Sequence, residues 1–399
     1  MKNGWQTKTI GDVCEFQRGL TYAKGDEVDV SDNVVLRATN IDLATNLLIF
    51  DELKYINAKV IVPESKKVKK GSLMICTASG SKSHLGKVAL IDEDYGYAFG
   101  GFMGMLTPQN GLLPKYLFHL MTTEDYKDFI GALSDGANIN NLTFDNLKRF
   151  PVPFPPLDEQ KRIVAKLDEA FVGLAKAKEN SEKNLQNARA LFESHLESVF
   201  TQRGKGWVEK PLGDICKTGS GGTPLSTRKE YYDGGDIPWL VSGEVAQGNV
   251  RTSKNFITKA GLENSSAKLF PKDTVLVAMY GATAGQVGIL RFEAATNQAV
   301  CGILPNDKFV TEFLFYFFLA EKDKLVAQAT GNAQPNISQI KIKNTVVPVP
   351  PLAEQQRIVD LLDSLHEQTQ RLARLYEQKL EVLDSLKKSI LHEAFSGNL

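Results

Sequence analysis

Apolar positions along the chain follow two different rhythms, and the order of the rhythms repeats. Before residue 150, short apolar runs such as Leu73-Met74-Ile75-Cys76 and Val88-Ala89-Leu90-Ile91 stand between glycine-rich and polar stretches, which predicts strands joined by loops. After Pro155 the rhythm changes to steps of three and four through Leu167, Ala170, Leu174, Ala177, Ser181, Asn184, Ala188 and Leu191. The same change recurs after Pro350, through Leu362, Leu365, Thr369, Leu372, Tyr376, Lys379, Leu383, Leu386 and Ile390. Two long helices are predicted, at 157–200 and 352–395, each roughly 65 Å long at about 1.5 Å per residue. Both stripes are heptad seams with polar residues near the middle. Neither stripe can be buried by its own helix. The simplest solution pairs the two helices, and since one leads away from the first globular part and the other leads back, the pair should be antiparallel. The competing arrangement packs each helix on its own domain.

Each helix opens on the same motif. Pro155-Pro156-Leu157-Asp158-Glu159-Gln160-Lys161-Arg162-Ile163-Val164 returns as Pro350-Pro351-Leu352-Ala353-Glu354-Gln355-Gln356-Arg357-Ile358-Val359, and an offset of 195 separates Gln160 from Gln355. The prolines fix an extended approach and cannot sit inside a helix. Asp158, Glu159 and Glu354 fall in the first turn, where the helix dipole favours negative charge.

The repetition extends into the globular parts. Trp5 to Cys14 parallels Trp207 to Cys216, and 71–76 parallels 272–277. Each of the latter runs leads into a glycine-rich loop, 79–86 or 280–285, and then a second strand. Ala98 to Pro108 parallels Ala295 to Pro305, an aromatic helix follows in each copy, and then a polar loop at 136–141 or 331–336. The predicted fold is α+β. It comprises a globular domain at 1–150, a helical spacer at 151–200, a second globular domain at 201–346 and a second helical spacer at 347–399.

Composition narrows the class only slightly. With 399 residues and 42% hydrophobic content the chain has ample material for cores. The longest apolar run, Phe313 to Ala320, falls far short of the roughly 20 residues that a membrane helix needs. Met1-Lys2-Asn3-Gly4-Trp5 offers no signal-peptide core, so a cytoplasmic protein without a membrane is expected. Lys and Arg number 47 against 47 Asp and Glu, a net charge of zero that by itself does not suggest nucleic acid. Residues 1–150 carry 17 basic against 18 acidic residues, and 201–346 carry 17 against 13. DNA binding would therefore rest on local patches such as Lys66, Lys67, Lys69 and Lys70, which a solvated turn explains equally well. Cys14, Cys76, Cys216 and Cys301 lie far apart without a Cys-x-x-Cys pair. Cys14 and Cys216 occupy matching places and read as two copies of one core position.

The paired Pro-Pro-Leu-x-Glu-Gln-x-Arg-Ile-Val motifs, the duplicated helices, Ile390-Leu391-His392-Glu393-Ala394-Phe395-Ser396-Gly397, Gly221-Gly222-Thr223-Pro224 and Ile237-Pro238-Trp239-Leu240 together resemble the specificity (S) subunit of type I restriction-modification enzymes. The resemblance runs over essentially the whole chain. It implies two tandem target-recognition domains, each reading one half of a bipartite asymmetric DNA sequence. It implies helices that act as spacers, pair as an antiparallel coiled coil and dock two methyltransferase (M) subunits. It implies restriction (R) subunits as further partners. S-adenosylmethionine, ATP and Mg belong to those partners, so no cofactor, metal or catalytic residue is expected here. The first copy departs from the pattern, with Arg18-Gly19-Leu20-Thr21 in place of the Gly-Gly-Thr-Pro turn.

The motifs that are missing agree. An adenine-N6 methyltransferase needs Asx-Pro-Pro-aromatic to hold its flipped base, whereas the Pro-Pro pairs here follow Pro153-Phe154 and Pro348-Val349. Gly80 to Lys87 imitates a phosphate loop. Five residues instead of four separate Gly80 from Gly86, and Val88 stands where Ser or Thr should follow the lysine. His84, His119, His195, His366 and His392 form no ligand spacing.

Base edges are read by Asn, Gln, Arg and Lys, with Ser, Thr, Tyr and His in support. The loops supply Arg18, Arg37, Thr39, Asn40, Lys82, His84, Asn138 and Asn140 in the first copy. In the second they supply Thr223, Arg228, Ser242, Glu244, Tyr280, Thr283, Gln286, Asn332, Gln334 and Asn336, while Asn297-Gln298 reads as a turn. Two other functions stay open at this point, a nuclease fragment and a coiled-coil scaffold without DNA. The first needs a carboxylate-metal constellation, and the second would lack the steep salt dependence of phosphate binding.

Overall fold

The computed structural model describes residues 4–134, 141–202, 204, 206–328 and 336–399. It divides into two compact units, Met1–Glu182 with Gln378–Leu399, and Lys183–Glu377. Each long helix is a single element, Leu157–Thr201 and Leu352–Ser396, and each contributes one stretch to either unit.

In the first unit, apolar runs flanked by turn residues form an antiparallel sheet in the order Cys14–Arg18, Met103–Pro108, Leu73–Cys76 and Val88–Leu90. A second sheet runs Glu27–Val28, Lys54–Ile56, Asn33–Leu36 and Ala98–Phe99, its last pair parallel. Gln6–Thr9 pairs with Pro151–Phe154, so the chain closes on itself just before the helix begins. The other unit repeats the plan with a five-stranded sheet, Thr218–Ser220, Val300–Ile303, Thr274–Ala278, Val287–Leu290 and Asn249–Val250. Its smaller sheet runs Phe256–Ile257, Ile237–Leu240, Ala294–Thr296 and Leu269–Phe270, and Val208–Pro211 pairs with Val346–Val349. The apolar run 313–320 lies in the helix Thr311–Ala320, largely buried. All four cysteines are buried and free, and burial raises the Cys14 thiol to about 12. Among the described residues no helix is long and apolar enough to cross a membrane.

The helix starts are locked by a buried glutamine. Gln160 is 0% exposed; its Oε1 accepts the Leu113 N–H, and its Nε2 donates to the carbonyls of Gly111 and Pro155. Gln355, also 0% exposed, makes the same three bonds to Val310, Lys308 and Pro350. The duplicated glutamine thus ties the Pro-Pro approach to the loop before the aromatic helix in each unit.

Within each unit the two helix stretches run antiparallel. In the first, Lys178 pairs with Asp384 at 3.0 Å and Arg162 donates to the Leu399 carbonyl, while Leu391, Ala394 and Phe395 join the core beside Tyr116. In the second, Arg189 pairs with Glu377 at 2.8 Å and Phe192 meets His366 with ring centroids 4.6 Å apart. Leu196 and Phe200 enter that core as Leu391 and Phe395 enter the other. Of the polar residues near the middle of the seam, Ser181 and Thr369 are buried and return their hydroxyls to the carbonyls of Ala177 and Leu365. Part of the predicted seam is wrong. Leu191, Leu372, Lys379 and Leu386 are exposed, and Phe192, Ala373 and Leu380 turn inward instead. Steps of three and four fit either phase locally, and the choice between them is made by the partner helix.

Candidate nucleic-acid interface

Matching backbone hydrogen bonds build the same frame of loops in each unit. At the end of the central strand, Cys76 N–H donates to Lys87 O and Gly86 N–H returns to Cys76 O. Ala278, Gln286 and Gly285 repeat this arrangement. Cys76 therefore corresponds to Ala278, one residue beyond the alignment that the apolar runs suggest. Next, Leu142 N–H donates to Thr77 O and Asn141 bridges to Ala78; Ile337 donates to Met279 O and Asn336 bridges to Tyr280. Thr143 and Ser338 then cap short helices by accepting the N–H groups of Asn146 and Lys341. Between these paired residues the second loop, 279–284, is three residues shorter than the first, 77–85.

The frame is shared but the side chains on it are not. In the first unit Arg18, Asn141, Thr143 and Phe144 line one cleft of about 580 Å3, with the Arg18 guanidinium 5.7 Å from the Phe144 ring centre. In the other unit Gln339 takes the position of Phe144, receiving a hydrogen bond from Ser220 and donating one to Thr218. Lys82 is exposed at the corner of a separate groove with Lys127, Lys387 and Lys388. His84 is half-buried, and burial with Lys87 nearby lowers its pKa. Lys87, which the loop reading passed over, is buried and donates to Ile41 O at 2.7 Å.

The remaining candidates fall into distinct places. Arg37 is half-buried with its Nε unpartnered, and Thr39 beside it is exposed. Thr223 is exposed and hydrogen-bonded to Gln298. Arg228 pairs with Glu230 at the surface. Ser242 is half-buried, Tyr280 exposed, and Thr283 donates to Tyr280 O at 3.1 Å; Gln286 is half-buried and Asn336 exposed. Asn138, Asn140, Asn332 and Gln334 lie outside the described residues.

Two candidates have to be withdrawn from base reading. Asn40 is 1% exposed: its Oδ1 accepts the Arg37 N–H, and its amide holds the carbonyls of Ile49 and Glu52. Glu244 is 5% exposed and accepts the N–H groups of Val241 and Lys254. The two residues sit at the same place, four after the strand end, and each closes a turn from inside. Lys66 of the basic cluster donates to Arg18 O and Lys67 pairs with Glu64, so that cluster is partly spent within the fold.

The missing Gly-Gly-Thr-Pro turn has a physical counterpart. A Cβ on Gly221 would stand 2.0 Å from Thr296 O, and one on Gly19 would stand 1.9 Å from Gly100 O. Gly19 therefore preserves the close approach that this turn requires. Asn297 and Gln298 do form a turn, closed by Val300 N–H to Asn297 O. Among the described residues no group of three or more His, Cys, Asp or Glu is placed to hold a metal ion.

Comparison with known proteins adds an independent view. The family described as type I restriction modification DNA specificity domain matches twice, at residues 2–183 and 204–382. The specificity subunit of the StySPI type I restriction enzyme of Salmonella potsdam is 26% identical, over 100% of this chain and 90% of that protein. The EcoKI specificity subunit of Escherichia coli is 27% identical over the same shares. A crystal structure of the HsdS subunit from Thermoanaerobacter tengcongensis superposes with a TM-score of 0.68 at 21% identity, covering 100% of this chain and 98% of that one. A chain from a study of complex assembly and conformational transition of the type I R-M system gives a TM-score of 0.81 at 21% identity, covering 100% and 99%. These two superpositions speak for the fold.

Proposed function

The chain belongs to the type I restriction-modification DNA specificity family, with two domains in tandem, and from that premise we propose that it is the sequence-reading subunit of a type I restriction-modification complex. Each unit reads one half of a bipartite, asymmetric DNA target. The observation that carries the asymmetry is one loop frame bearing unlike side chains: Arg18 and Phe144 against Ser220 and Gln339, Lys82 and His84 against Gly281 and Thr283. A frame with matching hydrogen bonds presents side chains at corresponding places, and different donors and acceptors on it select different base pairs.

In this reading the chain is not itself an enzyme and works in the cytoplasm. Two methyltransferase subunits dock on the long helices and bring S-adenosylmethionine, and restriction subunits bring ATP and Mg chemistry. The chain supplies position and sequence choice. Adenine methylation mapped across a host carrying all the subunits tests this. A bipartite motif with two different halves is expected, and Lys82→Ala should relax only one of them. Methylation independent of this chain, or a motif unchanged by substitutions in both loop frames, would overturn the reading. Nuclease and scaffold readings predict no such motif, and a scaffold predicts no steep loss of DNA affinity with salt.

A further inference from the structure

We propose that Phe102 is a specificity-determining residue of the first unit, reading the 5-methyl group of a thymine through apolar contact; this rests on the DNA-reading function proposed above. Phe102 is 73% exposed, among the most exposed large apolar side chains of the unit, yet its backbone is tightly held. It sits third in the turn Gly100-Gly101-Phe102-Met103, which Met103 N–H closes onto Gly100 O at 2.8 Å. Its carbonyl accepts three hydrogen bonds, from the N–H groups of Thr77 and Ala78 and from the Thr77 hydroxyl. The approach of Gly19 to Gly100 O leaves no space for the turn to shift on that side. A bare phenyl ring on a fixed turn gains nothing in water and contributes nothing to the core.

The surroundings identify what the ring meets. Phe102 lines the same cleft as Arg18, Asn141 and Thr143, the side-chain types that bind guanine, adenine and either base. An apolar group among such readers has one complement on a major-groove base edge, the thymine methyl. The other unit supports a reading role over a structural one. Its matching turn is Asn297-Gln298-Ala299-Val300, and Ala299 O accepts the Met279 N–H as Phe102 O accepts that of Thr77. The turn forms equally well with a methyl group there, so the phenyl ring is not needed for folding. Its presence in one copy only assigns an A·T pair to the half-site of the first unit.

The test uses the chain assembled with its methyltransferase subunits and the duplex target found by methylation mapping. Each thymine of the two halves is replaced in turn by deoxyuridine, which removes only the methyl. One replacement, in the first half, should weaken binding about fourfold, the worth of one buried methyl. Phe102→Ala should weaken binding to the unmodified duplex by at least as much and become indifferent to that replacement. It should respond like the wild type to every other replacement, with an unchanged thermal midpoint. If Phe102→Ala adds to every replacement, or lowers affinity equally on all duplexes as a ring wedged between bases would, the methyl contact is wrong. If the wild-type assembly does not prefer its mapped target over scrambled DNA, the DNA-reading function itself fails, and that outcome is separate.

Discussion

At the scale of single residues, exposure and partnering separate reading from support. Arg18 and Lys82 present charge at the edge of loop clefts, whereas Asn40 and Glu244 spend their polar atoms on the backbone behind them. Lys82→Ala or Arg18→Ala should cost about 1–3 kcal/mol of target affinity where the residue reads a base, and should relax one half-site only. Asn40→Ala and Glu244→Ala should instead lower stability by about 1–3 kcal/mol through unpaired backbone groups. Chemical denaturation beside binding assays separates the two patterns. Burial also tunes His119, which is nearly inaccessible beside Asp168: burial lowers its pKa to about 4, with Asp168 pulling the other way. The folded chain then holds fewer protons than the unfolded one between about 6.5 and 4. Its contribution to stability is complete above about 6.5 and is lost as pH falls through that window. The unfolding midpoint of wild type should drop between pH 7 and 5, and His119→Gln should flatten that drop. Parallel curves for the two proteins would show that His119 does not titrate in this way.

At the scale of elements, the two helices and their starts were legible in the sequence because their signals are local. Proline, acidic first-turn residues and a 3.6-residue period each act within a few positions. The strand–loop–strand units at 73–90 and 274–290 were legible for the same reason. The phase of the seam was not, since Leu372 and Ala373 both satisfy the period and only the facing helix decides between them. Nor was the parallel pairing of Asn33–Leu36 with Ala98–Phe99, which joins segments about 60 residues apart through contacts that no local pattern announces. Gln160 and Gln355 could be seen as a repeated pair, but their burial could not. Gln160→Ala would leave the Leu113 N–H and two carbonyls without partners. A loss of about 2–4 kcal/mol is expected, confined to the first unit, with Gln355→Ala acting on the other. Hydrogen exchange resolved by segment would show which unit opens; equal loosening of both would contradict the local lock.

At the scale of the whole molecule, the duplication makes one half able to stand in for the other. The candidate site was legible only as a set of loops. Asn40 and Glu244 looked like readers because they are polar and lie in loops, and Phe102 has no polar group by which a search for base-edge donors and acceptors selects it. The division into units adds a further consequence. The first unit is completed by the far end of the second helix, where Leu391, Ala394 and Phe395 close its core against Tyr116. A fragment of residues 1–200 lacks that end, so its core is open and the stripe from Leu167 onward is unpaired. What it does carry is the end of its own helix, with Leu196 and Phe200, which fill the equivalent place in the other unit. A second copy can therefore supply Leu196 for Leu391 and Phe200 for Phe395, and receive the same in return, closing a two-fold pair. The fragment is expected to sediment as a dimer, and with methyltransferase subunits to methylate an interrupted palindrome built from the first half-site and its inverse. Phe200→Ala should weaken the dimer, because the ring that closes the partner's core is gone. A fragment that stays monomeric and folded at tens of micromolar would mean that the first unit closes without a borrowed helix end, and the exchange would be wrong.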